Sequence, residues 1–442
     1  MRSLKWLIPG MQIKRWLLLL LGGVTLAALG LAYALIELYD TVAVPSLMQQ
    51  LVSVLTLQPL PQWLRAFLFG SVGLAALGYG LLGLNRSLLT AVNPEGTRDL
   101  VEHVDRRRRR RSAPKIVVLG GGTGLSTLLR GLKEHTDQLT AIVTVADDGG
   151  SSGRLRQSLG VHPPGDFRQC IAALANTEPL MQRLFEYRFG DGSELGGHAF
   201  GNLFIVAMTG ITGSFESALR ASSRVLAVRG RIVPSTLEHV TLFAELEDDR
   251  VMAGESKVPK GEAPIRRVFL EPREARAYPE AVSALLEADI VVLGPGSLYT
   301  SVLPNLLVPD IAAAVEATRA PVVYVANVAT QPGETTGYDL ADHVAAIRRH
   351  LRRRIIDIVL ANDNMAPLDA DETIEAVPPE LVATGLFGVG TPRLVLTDLV
   401  DELDPIRHDP GKLGAAVMAL HRQNGRRTNA QPEPAKAPIA AA

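Results

Sequence analysis

A short apolar strand that runs directly into a glycine-rich loop and then into a helix places the tightest constraint on this fold. Residues Ile116 to Leu119 are β-branched or apolar, four glycines and a threonine follow between Gly120 and Gly124, and an apolar-periodic helix is predicted from Leu125. Glycine lets the backbone approach a ligand closely, and the first turn of a helix offers unpaired N–H groups to a phosphate. The junction is typical of a nucleotide-binding α/β domain. A purely structural tight turn is the alternative, because Leu125 occupies the third glycine position of the dinucleotide-binding pattern G-x-G-x-x-G.

Two acids follow the second predicted strand. This strand spans Leu139 to Val145 and precedes Asp147, Asp148 and a glycine-rich loop that contains Ser151 and Ser152. An acid at this position often accepts a hydrogen bond from a ribose hydroxyl. Two neighbouring acids can also hold Mg²⁺, which needs only one or two carboxylates. Because such a loop is costly to order unless a ligand binds it, we expect a ligand site here.

Two further junctions in this half leave alternatives open. Asp166, in the sequence Pro163-Pro-Gly-Asp166, can cap a helix predicted near Phe167 or join the other acids. A glycine-rich stretch then leads into an apolar helix, with His198 and Asn202 four residues apart and so on one helical face. On these residues alone, a cap and a packed histidine are favoured for the pair.

The second half of the chain repeats the pattern of strand, loop and helix. A strand predicted over Asp289 to Leu293 ends in a loop with Gly296, Ser297 and Tyr299, and a strand over Pro321 to Val328 ends before Thr330 and Gln331. Ligands bind such loops at the carboxyl edge of a parallel sheet. Tyr299 can stack on a base or sugar there, and Thr330 or Gln331 can form hydrogen bonds with one. An ordinary turn, with Glu334 capping the next helix, is the alternative.

The remaining predicted elements complete one domain. Strands are predicted near Ile355 to Leu360 and Leu394 to Thr397, and a last helix near Pro410. Arg407 and His408, just before that helix, can meet a diphosphate, although a surface arginine is the alternative. The region from about Leu226 to Glu274 alternates charged and β-branched residues and predicts a small antiparallel insert. The tail, residues 423–442, is predicted to be disordered.

The first ninety residues are predicted to form a membrane anchor. Residues 16–36 and 66–84 are uncharged stretches long enough to cross a hydrocarbon core of about 30 Å. Basic residues precede the first stretch and follow the second, so both ends are expected in the cytoplasm of a multi-pass inner-membrane protein. A signal peptide is less favoured, because the first stretch exceeds the 7 to 15 apolar residues typical of one. Two buried core helices are the other alternative.

Charge and cysteine content argue against several kinds of partner and site. The 45 basic and 46 acidic side chains nearly cancel, which gives no general reason to expect nucleic acid as a partner. The arginine run Arg106 to Arg111 lies in the segment 91–114, which we interpret as a linker attracted to anionic lipid. A single cysteine, Cys170, excludes a disulfide within the chain and a multi-thiolate metal site.

Taken together, the loop motifs between the predicted strands and helices resemble those of a known family. The motifs begin at Gly120 (Gly-Gly-Gly-Thr-Gly-Leu-Ser), Ala146 (Ala-Asp-Asp-Gly-Gly-Ser-Ser-Gly-Arg), Pro163 (Pro-Pro-Gly-Asp), His198 (with Gly201-Asn202), Gly294 (Gly-Pro-Gly-Ser-Leu-Tyr-Thr-Ser) and Thr330 (Thr-Gln-Pro-Gly-Glu). This set, in this order, closely resembles the YvcK branch of the CofD-like superfamily, from Lys115 to about His421. The N-terminal hairpin departs from the typical pattern of that branch.

The resemblance implies a fold and a ligand. It implies a three-layer α/β/α Rossmann-like fold with a mainly parallel sheet, here preceded by the two-helix transmembrane hairpin. Members of the branch, called gluconeogenesis factors, bind UDP-sugars such as UDP-N-acetylglucosamine and are linked to cell shape and peptidoglycan synthesis. By similarity, Tyr299 and Arg407 match positions tied to nucleotide-sugar binding. The sister CofD branch transfers a phospholactyl group from a guanylated donor to a deazaflavin, with Mg²⁺ held by acids at positions like Asp148 and Asp166.

Three function classes follow from these observations. A membrane-attached UDP-sugar-binding regulator leads, because no nucleophile–base pair, histidine metal cluster or cysteine centre is evident in the sequence. A Mg²⁺-dependent transferase that moves a phosphorylated group from a nucleotide-diphosphate donor is second, since positioning and Mg²⁺ can suffice for transfer. An NAD-dependent oxidoreductase is third, because the glycine pattern departs from the dinucleotide fingerprint.

The prediction in full assigns 1–90 to the anchor, 91–114 to the linker, 115–422 to the nucleotide-sugar-binding domain and 423–442 to the tail. No catalytic residue and no required cofactor are assigned, and Mg²⁺ is left open. The expected partners are a UDP-sugar and the bilayer, with cell-wall synthesis proteins and a homo-oligomer left open and nucleic acid not expected. The predicted nucleotide-sugar-binding residues are Gly121, Gly122, Thr123, Gly124, Asp147, Ser151, Ser152, Asn202, Gly296, Ser297, Tyr299, Thr330, Gln331 and Arg407, with Asp148 and Asp166 as metal ligands.

Overall fold

The computed structural model describes residues 113–176, 179–190, 192, 194–351, 355–365, 374–378 and 391–430, the last with side chains to 423, together with residue 110 and scattered residues from 24 to 79. The chain divides into two compact units, Met1–Val101 and Glu102–Ala442. The second unit is the one described through most of its length, and it contains all the predicted binding junctions.

A seven-stranded parallel sheet forms the centre of the second unit. Its strand order is β10-β9-β8-β7-β1-β2-β3, and every pairing in it is parallel. Strands β1, β2, β7, β8 and β9 are buried at every position. Burial on both faces explains why these strands read as continuous apolar runs rather than as alternating ones. The ten strands among the described residues are β1 Ile116–Gly120, β2 Leu139–Val143, β3 Arg231–Pro234, β4 Thr241–Leu246, β5 Val251–Ala253, β6 Ile265–Glu271, β7 Ile290–Leu293, β8 Val322–Val325, β9 Ile358–Asn362 and β10 Arg393–Thr397.

Helices surround this sheet, which confirms the predicted α/β class with a mainly parallel sheet. The helices are α1 Gly122–Leu132, α2 Gly150–Leu159, α3 Gly165–Leu174, α4 Pro179–Glu186, α5 Phe200–Thr212, α6 Phe215–Val225, α7 Pro279–Leu286, α8 Leu303–Leu306, α9 Pro309–Ala317, α10 Leu340–His350 and α11 Pro410–Ala430. A 3₁₀ helix spans Glu255–Lys260, and a π-helical turn spans Leu298–Val302.

Helix α1 is packed between α3 and the C-terminal helix α11. Gly131 of α1 faces Gly414 of α11 so closely that a Cβ atom on Gly414 would lie 2.7 Å from the Gly131 carbonyl carbon. Only glycine permits this separation of the two helix backbones. The pairing holds the helix that begins at the first glycine loop.

The predicted antiparallel insert is confirmed. Strand β4 pairs antiparallel with both β5 and β6 in a separate three-stranded sheet. The rings of Phe243 and Phe269 stack across the β4–β6 pair, with centroids 5.3 Å apart. The 3₁₀ helix that follows β5 carries Glu255 and Ser256 toward the carboxyl edge of the main sheet, as the contacts below show.

The predicted transmembrane spans lie almost entirely outside the described residues. Three residues of the stretch 16–36 are described, and about half of those in the stretch 66–84. Within the described part of the chain, no single helix is both long and apolar enough to cross a bilayer, although one bent pair, Leu298–Leu306 with Pro309–Ala317, passes the same criteria. Most of the linker 91–114 and residues 431–442 of the tail also lie outside the description, while α11 continues to Ala430.

Candidate functional site

The strand order reverses between β1 and β7, and the two glycine loops meet there. From β1 the chain continues to β2 on one side of the sheet, and from β7 it continues to β8 on the other. A Cβ atom on Gly124 would lie 2.6 Å from the Pro295 carbonyl oxygen and 2.7 Å from the Gly296 Cα. Gly122 and Gly296 have φ values of +60° and +146°, which glycine adopts without strain. The predicted glycines are therefore brought together at the crevice where open α/β sheets bind ligands.

Four helices begin around this crevice. Ser152 Oγ accepts a hydrogen bond from the N–H of Gly165 at 3.0 Å, which joins the first turns of α2 and α3. Asn202 Nδ2 donates to Ser151 Oγ at 2.9 Å, which joins α2 to α5. The carboxyl group of Asp166 on α3 lies against Gly121 and Gly122 at the start of α1. Helix N-termini carry partial positive charge and favour anions, so their convergence suits a phosphate group.

Three carboxyl groups share this crevice. Burial raises the pKa of Asp147. Hydrogen bonds from the N–H of Gly149, at 2.9 Å, and from Ser152 oppose this rise. Burial, followed by the charge of Asp147, also raises the pKa of Asp166. Burial, with the charges of Asp147 and Asp166, raises the pKa of Glu255 to about 8. Like charges that share a desolvated space disfavour ionisation, so the crevice is suited to positive groups or protons near these acids.

Sequence reasoning missed Glu255, which enters from the antiparallel insert. Asp148 holds the insert in place, since its Oδ1 accepts the N–H of Ser256 at 2.8 Å and its other oxygen lies against Gly254. The predicted metal pair is thus arranged differently: Asp166 neighbours Asp147, whereas Asp148 faces the insert. Among the described residues, no three histidine, cysteine, aspartate or glutamate side chains are grouped as metal ligands.

The structure also contains a nucleophile–base pair that the sequence did not reveal. Ser151 Oγ lies 3.0 Å from His198 Nδ1, and both residues are buried. Burial, and then the charge of Arg154, lowers the pKa of His198, so its imidazole is neutral at physiological pH and can accept the serine proton. The packed-histidine interpretation was therefore incomplete, because the spacing of His198 and Asn202 does not show that both side chains converge on Ser151.

The loops after β7 and β8 are joined by Glu334. Its carboxylate accepts hydrogen bonds from Ser297 Oγ, from the N–H of Tyr299 at 3.3 Å and from Thr300 Oγ1 at 3.2 Å. Burial raises the pKa of Glu334, and these hydrogen bonds oppose the rise. Glu334 thus caps the π-helical turn that follows β7, rather than the helix after its own loop. Asn327 Oδ1 adds a second link, since it accepts the N–H of Gly296 at 3.3 Å.

Three predicted binding residues have their polar groups engaged by the protein. Tyr299 is fully buried, and its hydroxyl lies 2.8 Å from that of Tyr338, so its ring does not face the crevice in this structure. Thr330 exchanges hydrogen bonds with Glu375, through its N–H at 2.8 Å and through its Oγ1 at 3.0 Å. The N–H of Gln331 donates to Thr335 Oγ1 at 2.9 Å, and the Gln331 side chain is half-buried.

Two predicted residues lie at the surface of the site. Thr123, at the start of α1, is exposed, and its hydroxyl donates to Gln169 Oε1 at 3.3 Å. The side chain of Arg407 is 58% exposed and forms an ion pair with Asp404 at 2.9 Å. The neighbouring His408 is buried, and its Nε2 lies 3.1 Å from the carbonyl oxygen of Ala326, just past β8. Arg407 is therefore held near the carboxyl edge with its guanidinium in solvent.

A cavity of about 380 Å³ lies at the opposite edge of the sheet. It is lined at the amino ends of β1, β2 and β3 by Lys115, Asp137, Arg231 and Glu287, among others. Lys115 and Glu287 pair with each other at 3.0 Å, so the mixed charges there already neutralise one another. The glycine loops and helix N-termini, by contrast, all lie at the carboxyl edge, where we place the candidate site.

Comparisons with known proteins agree with this geometry. The family model described as 2-phospho-L-lactate transferase CofD matches residues 116–381. The gluconeogenesis factor of Bacillus subtilis (strain 168) is 47% identical over 313 residues, which cover 70% of this chain and 99% of that protein. A relative from Nostoc sp. (strain PCC 7120), provisionally named a gluconeogenesis factor, is 46% identical over 422 residues, 94% of this chain and 91% of its own length.

A solved structure shows the same fold. The crystal structure of a UPF0052 family member from Bacillus halodurans superposes with a TM-score of 0.64 at 43% identity, covering 69% of this chain and 99% of the other. The family match spans the crevice, both glycine loops and the converging helices. The chain therefore belongs to the CofD-like family, in its YvcK branch of gluconeogenesis factors.

Proposed function

We propose that this protein binds a UDP-sugar, with UDP-N-acetylglucosamine as the leading ligand, at the crevice between β1 and β7. The observation that carries the proposal is the convergence of four helix N-termini beside two touching glycine loops. This arrangement supplies backbone N–H groups and partial positive charge to a diphosphate. Arg407, exposed at the same edge, adds a cation for it.

In this proposal the protein is a regulator of cell shape and peptidoglycan synthesis under gluconeogenic growth, and the bound UDP-sugar controls its activity. The support is the name of the relatives, since "gluconeogenesis factor" describes a role in carbon metabolism and not a reaction. A UDP-sugar is also the chemical form in which sugars are supplied to wall polymers. Cell-wall synthesis proteins are accordingly the partners that we propose.

We also propose that residues 1–90 anchor the protein in the inner membrane, with both ends in the cytoplasm. Support comes from the described part of the second uncharged stretch, where residues 67–73 are helical. Phe67 is 68% exposed there and Val72 is 65% exposed. Apolar side chains that stand exposed on an uncharged helix are expected to face lipid.

A single-cysteine experiment tests this topology. Buried Cys170 is first replaced by alanine, and a cysteine is then placed between the two stretches as Ser46→Cys or in the linker as Ser112→Cys. In intact spheroplasts, a membrane-impermeant maleimide should label Ser46→Cys and should label Ser112→Cys only after permeabilisation. Equal labelling of both variants before permeabilisation contradicts the proposed topology.

A transferase is the second candidate, because of the Ser151–His198 pair and the acids beside it. Carboxylate oxygens are the ligands that Mg²⁺ prefers, and a divalent cation would relieve the repulsion between Asp147 and Asp166. These two acids would hold such an ion, which would neutralise charge on a transferred phosphoryl group. His198 would accept a proton through Ser151, and the helix N-termini would orient the diphosphate.

Calorimetry on the full-length protein tests the leading proposal. UDP-N-acetylglucosamine, GDP and NAD are each titrated with and without Mg²⁺, and each mixture is examined for products after long incubation. Selective binding of the uridine sugar with no product supports the regulator, whereas preference for GDP with strict Mg²⁺ dependence supports the transferase. Ser152→Ala should weaken binding, because Ser152 joins the first turns of α2 and α3. Its matched control is Ser158→Ala on the same helix, where the hydroxyl is exposed.

A further inference from the structure

Arg168 is an arginine that the crevice does not use. It lies on α3 two residues after Asp166, and residues at this spacing point to different sides of a helix, about 200° apart. Asp166 faces Gly121 and Gly122, whereas the stem of Arg168 runs along the first turn of α5. A Cβ atom on Gly201 would lie 2.8 Å from Arg168 Cγ and 2.9 Å from its Cδ. Arg168 therefore packs against the first turn of α5, whereas Asp166 packs against the first glycine loop.

Arg168 is largely buried and forms no ion pair among the described residues. The residue is only 9% exposed, and its Nε is buried without a hydrogen-bond partner. Within the described residues, no carboxylate lies within ion-pair distance of its guanidinium, although Glu186 and Asp166 act on it from farther away. Burial, and then the charge of Arg188, lowers the pKa of Arg168. A buried cation beside a second cation is costly unless an anion compensates it.

Two exposed arginines lie near the start of α5. Arg188 pairs through its backbone with Ala199, the residue just before α5. Arg154 Nη2 donates only to the carbonyl oxygen of Gly196, at 2.8 Å, and neither of these arginines has an ion pair among the described residues. The start of α5 thus gathers three arginines that have no ion pair among the described residues.

We propose that Arg168 and Arg188, beside the first turn of α5, form a second anion site that takes the phosphate group of a small molecule other than the nucleotide. The planar guanidinium can bind two phosphate oxygens at once. This site goes beyond the proposed function, because it needs no nucleotide in the crevice. The first turn of α5 is linked to the crevice by the hydrogen bond from Asn202 to Ser151.

The test uses the full-length protein with inorganic phosphate and glycerol 1-phosphate as probes. Each is titrated calorimetrically into the wild type, first alone and then with saturating UDP-N-acetylglucosamine. Arg168→Met keeps the aliphatic stem against Gly201 but removes the charge, and Arg168→Lys keeps the charge but removes the two-pronged geometry. Arg224→Met, an exposed arginine on α6, is the matched control. Thermal denaturation without ligand shows that each variant is folded.

We expect the wild type and Arg224→Met to bind a probe equally, with or without the nucleotide sugar. Arg168→Met should lose at least about tenfold in affinity, which corresponds to one charge-assisted hydrogen bond, and Arg168→Lys should fall between. Tighter binding of glycerol 1-phosphate than of phosphate would identify a phosphate ester as the occupant, and the reverse would identify free phosphate.

The proposal is overturned if neither probe binds, if Arg168→Met binds like the wild type, or if saturating UDP-N-acetylglucosamine abolishes phosphate binding. The last result would make Arg168 part of the nucleotide site. A separate titration of UDP-N-acetylglucosamine into Arg168→Met isolates the proposed function, because binding of the nucleotide sugar should stay within about twofold of the wild type. Failure of the wild type to bind that ligand would defeat the proposed function and leave the phosphate titrations valid.

Discussion

The two sides of the crevice satisfy their polar groups differently. On the β1–β2 side, burial raises the pKa of Asp147, Asp166 and Glu255, and the charge of Asp147 adds to the rise at the other two. On the β7–β8 side, the carboxylate of Glu334 is enclosed by three hydrogen-bond donors that the protein itself supplies. The β1–β2 side is therefore prepared for a ligand and costs stability without one, whereas on the β7–β8 side the protein's own hydrogen bonds offset part of the cost of burying Glu334.

The largest effect is expected where the two sides touch. In Gly124→Ala the new Cβ would lie 2.6 Å from the Pro295 carbonyl oxygen, and backbone cannot move aside cheaply. We expect the free energy of unfolding to fall by about 3 kcal/mol or more, which is at the upper end of the range for overpacked cores. Urea denaturation measures this loss. Gly210→Ala on α5 is the control, because a Cβ there meets nothing within 4 Å. Equal stability of the two variants would show that the two loops are not in contact.

On the β7–β8 side, Glu334→Gln should destabilise the protein. The amide nitrogen cannot accept, so a donor such as the N–H of Tyr299 or the hydroxyl of Thr300 loses its partner. An unpaired buried donor costs about 1 to 3 kcal/mol, and denaturation at pH 7 measures the loss. A variant as stable as the wild type would mean that these hydrogen bonds do not contribute to stability.

On the β1–β2 side, Glu255→Gln should instead stabilise the protein. The pKa of Glu255 is raised from 4.5 to about 8 in the folded state, so the unfolded chain releases this proton at lower pH than the folded protein does. The wild type should therefore lose stability as pH rises from about 4.5 to 8, and Glu255→Gln should remove that loss. We expect Glu255→Gln to be more stable than the wild type by about 1 to 2 kcal/mol at pH 8 and by much less at pH 5.

Denaturation curves for Glu255→Gln and Glu334→Gln at both pH values provide this comparison. If Glu255→Gln destabilises the protein at pH 8 as much as Glu334→Gln does, the proposed contrast between the two sides fails. The pH 5 measurements serve as an internal control, because a general packing defect would persist at both pH values.

The smallest effect on stability is expected for Arg407→Ala. Its ion pair with Asp404 is exposed, and such pairs contribute less than about 1 kcal/mol. The same variant should weaken diphosphate binding by about 1.5 to 3 kcal/mol if the guanidinium forms a charged hydrogen bond with the ligand. Calorimetry with UDP-N-acetylglucosamine gives the affinity, and thermal denaturation gives the stability. Unchanged affinity would remove Arg407 from the site.

The sequence predicted those parts of the fold that depend on local pattern. Strands such as Ile290–Leu293 are buried on both faces, so their apolar runs are unbroken and easily recognised. The glycine loops were predictable because close approach and positive φ require glycine at positions such as Gly122 and Gly124. The position of Ser151, Ser152 and Asp147 was also predictable, because all three follow one strand of a parallel sheet and so lie near one another.

The missed features depend on contacts between distant segments. Glu255 reaches the crevice through an insert whose docking on Asp148 leaves no mark in the sequence. The spacing of His198 and Asn202 predicts a shared helical face but not a common partner in Ser151. Tyr299 looked available for stacking, yet its burial beside Tyr338 follows from the packing of α10 and the loop before it. The unpartnered charge of Arg168 likewise becomes visible only when its burial is known.

The glycine contact between α1 and α11 ties the site to a distant part of the chain. Gly131 lies in the helix that begins at the first glycine loop, whereas Gly414, against which it packs, belongs to a helix that follows all ten described strands. The final position of α1 therefore depends on a contact of very long sequence separation, which forms slowly. A displacement of α11 would leave α1 without its support and would disturb the crevice.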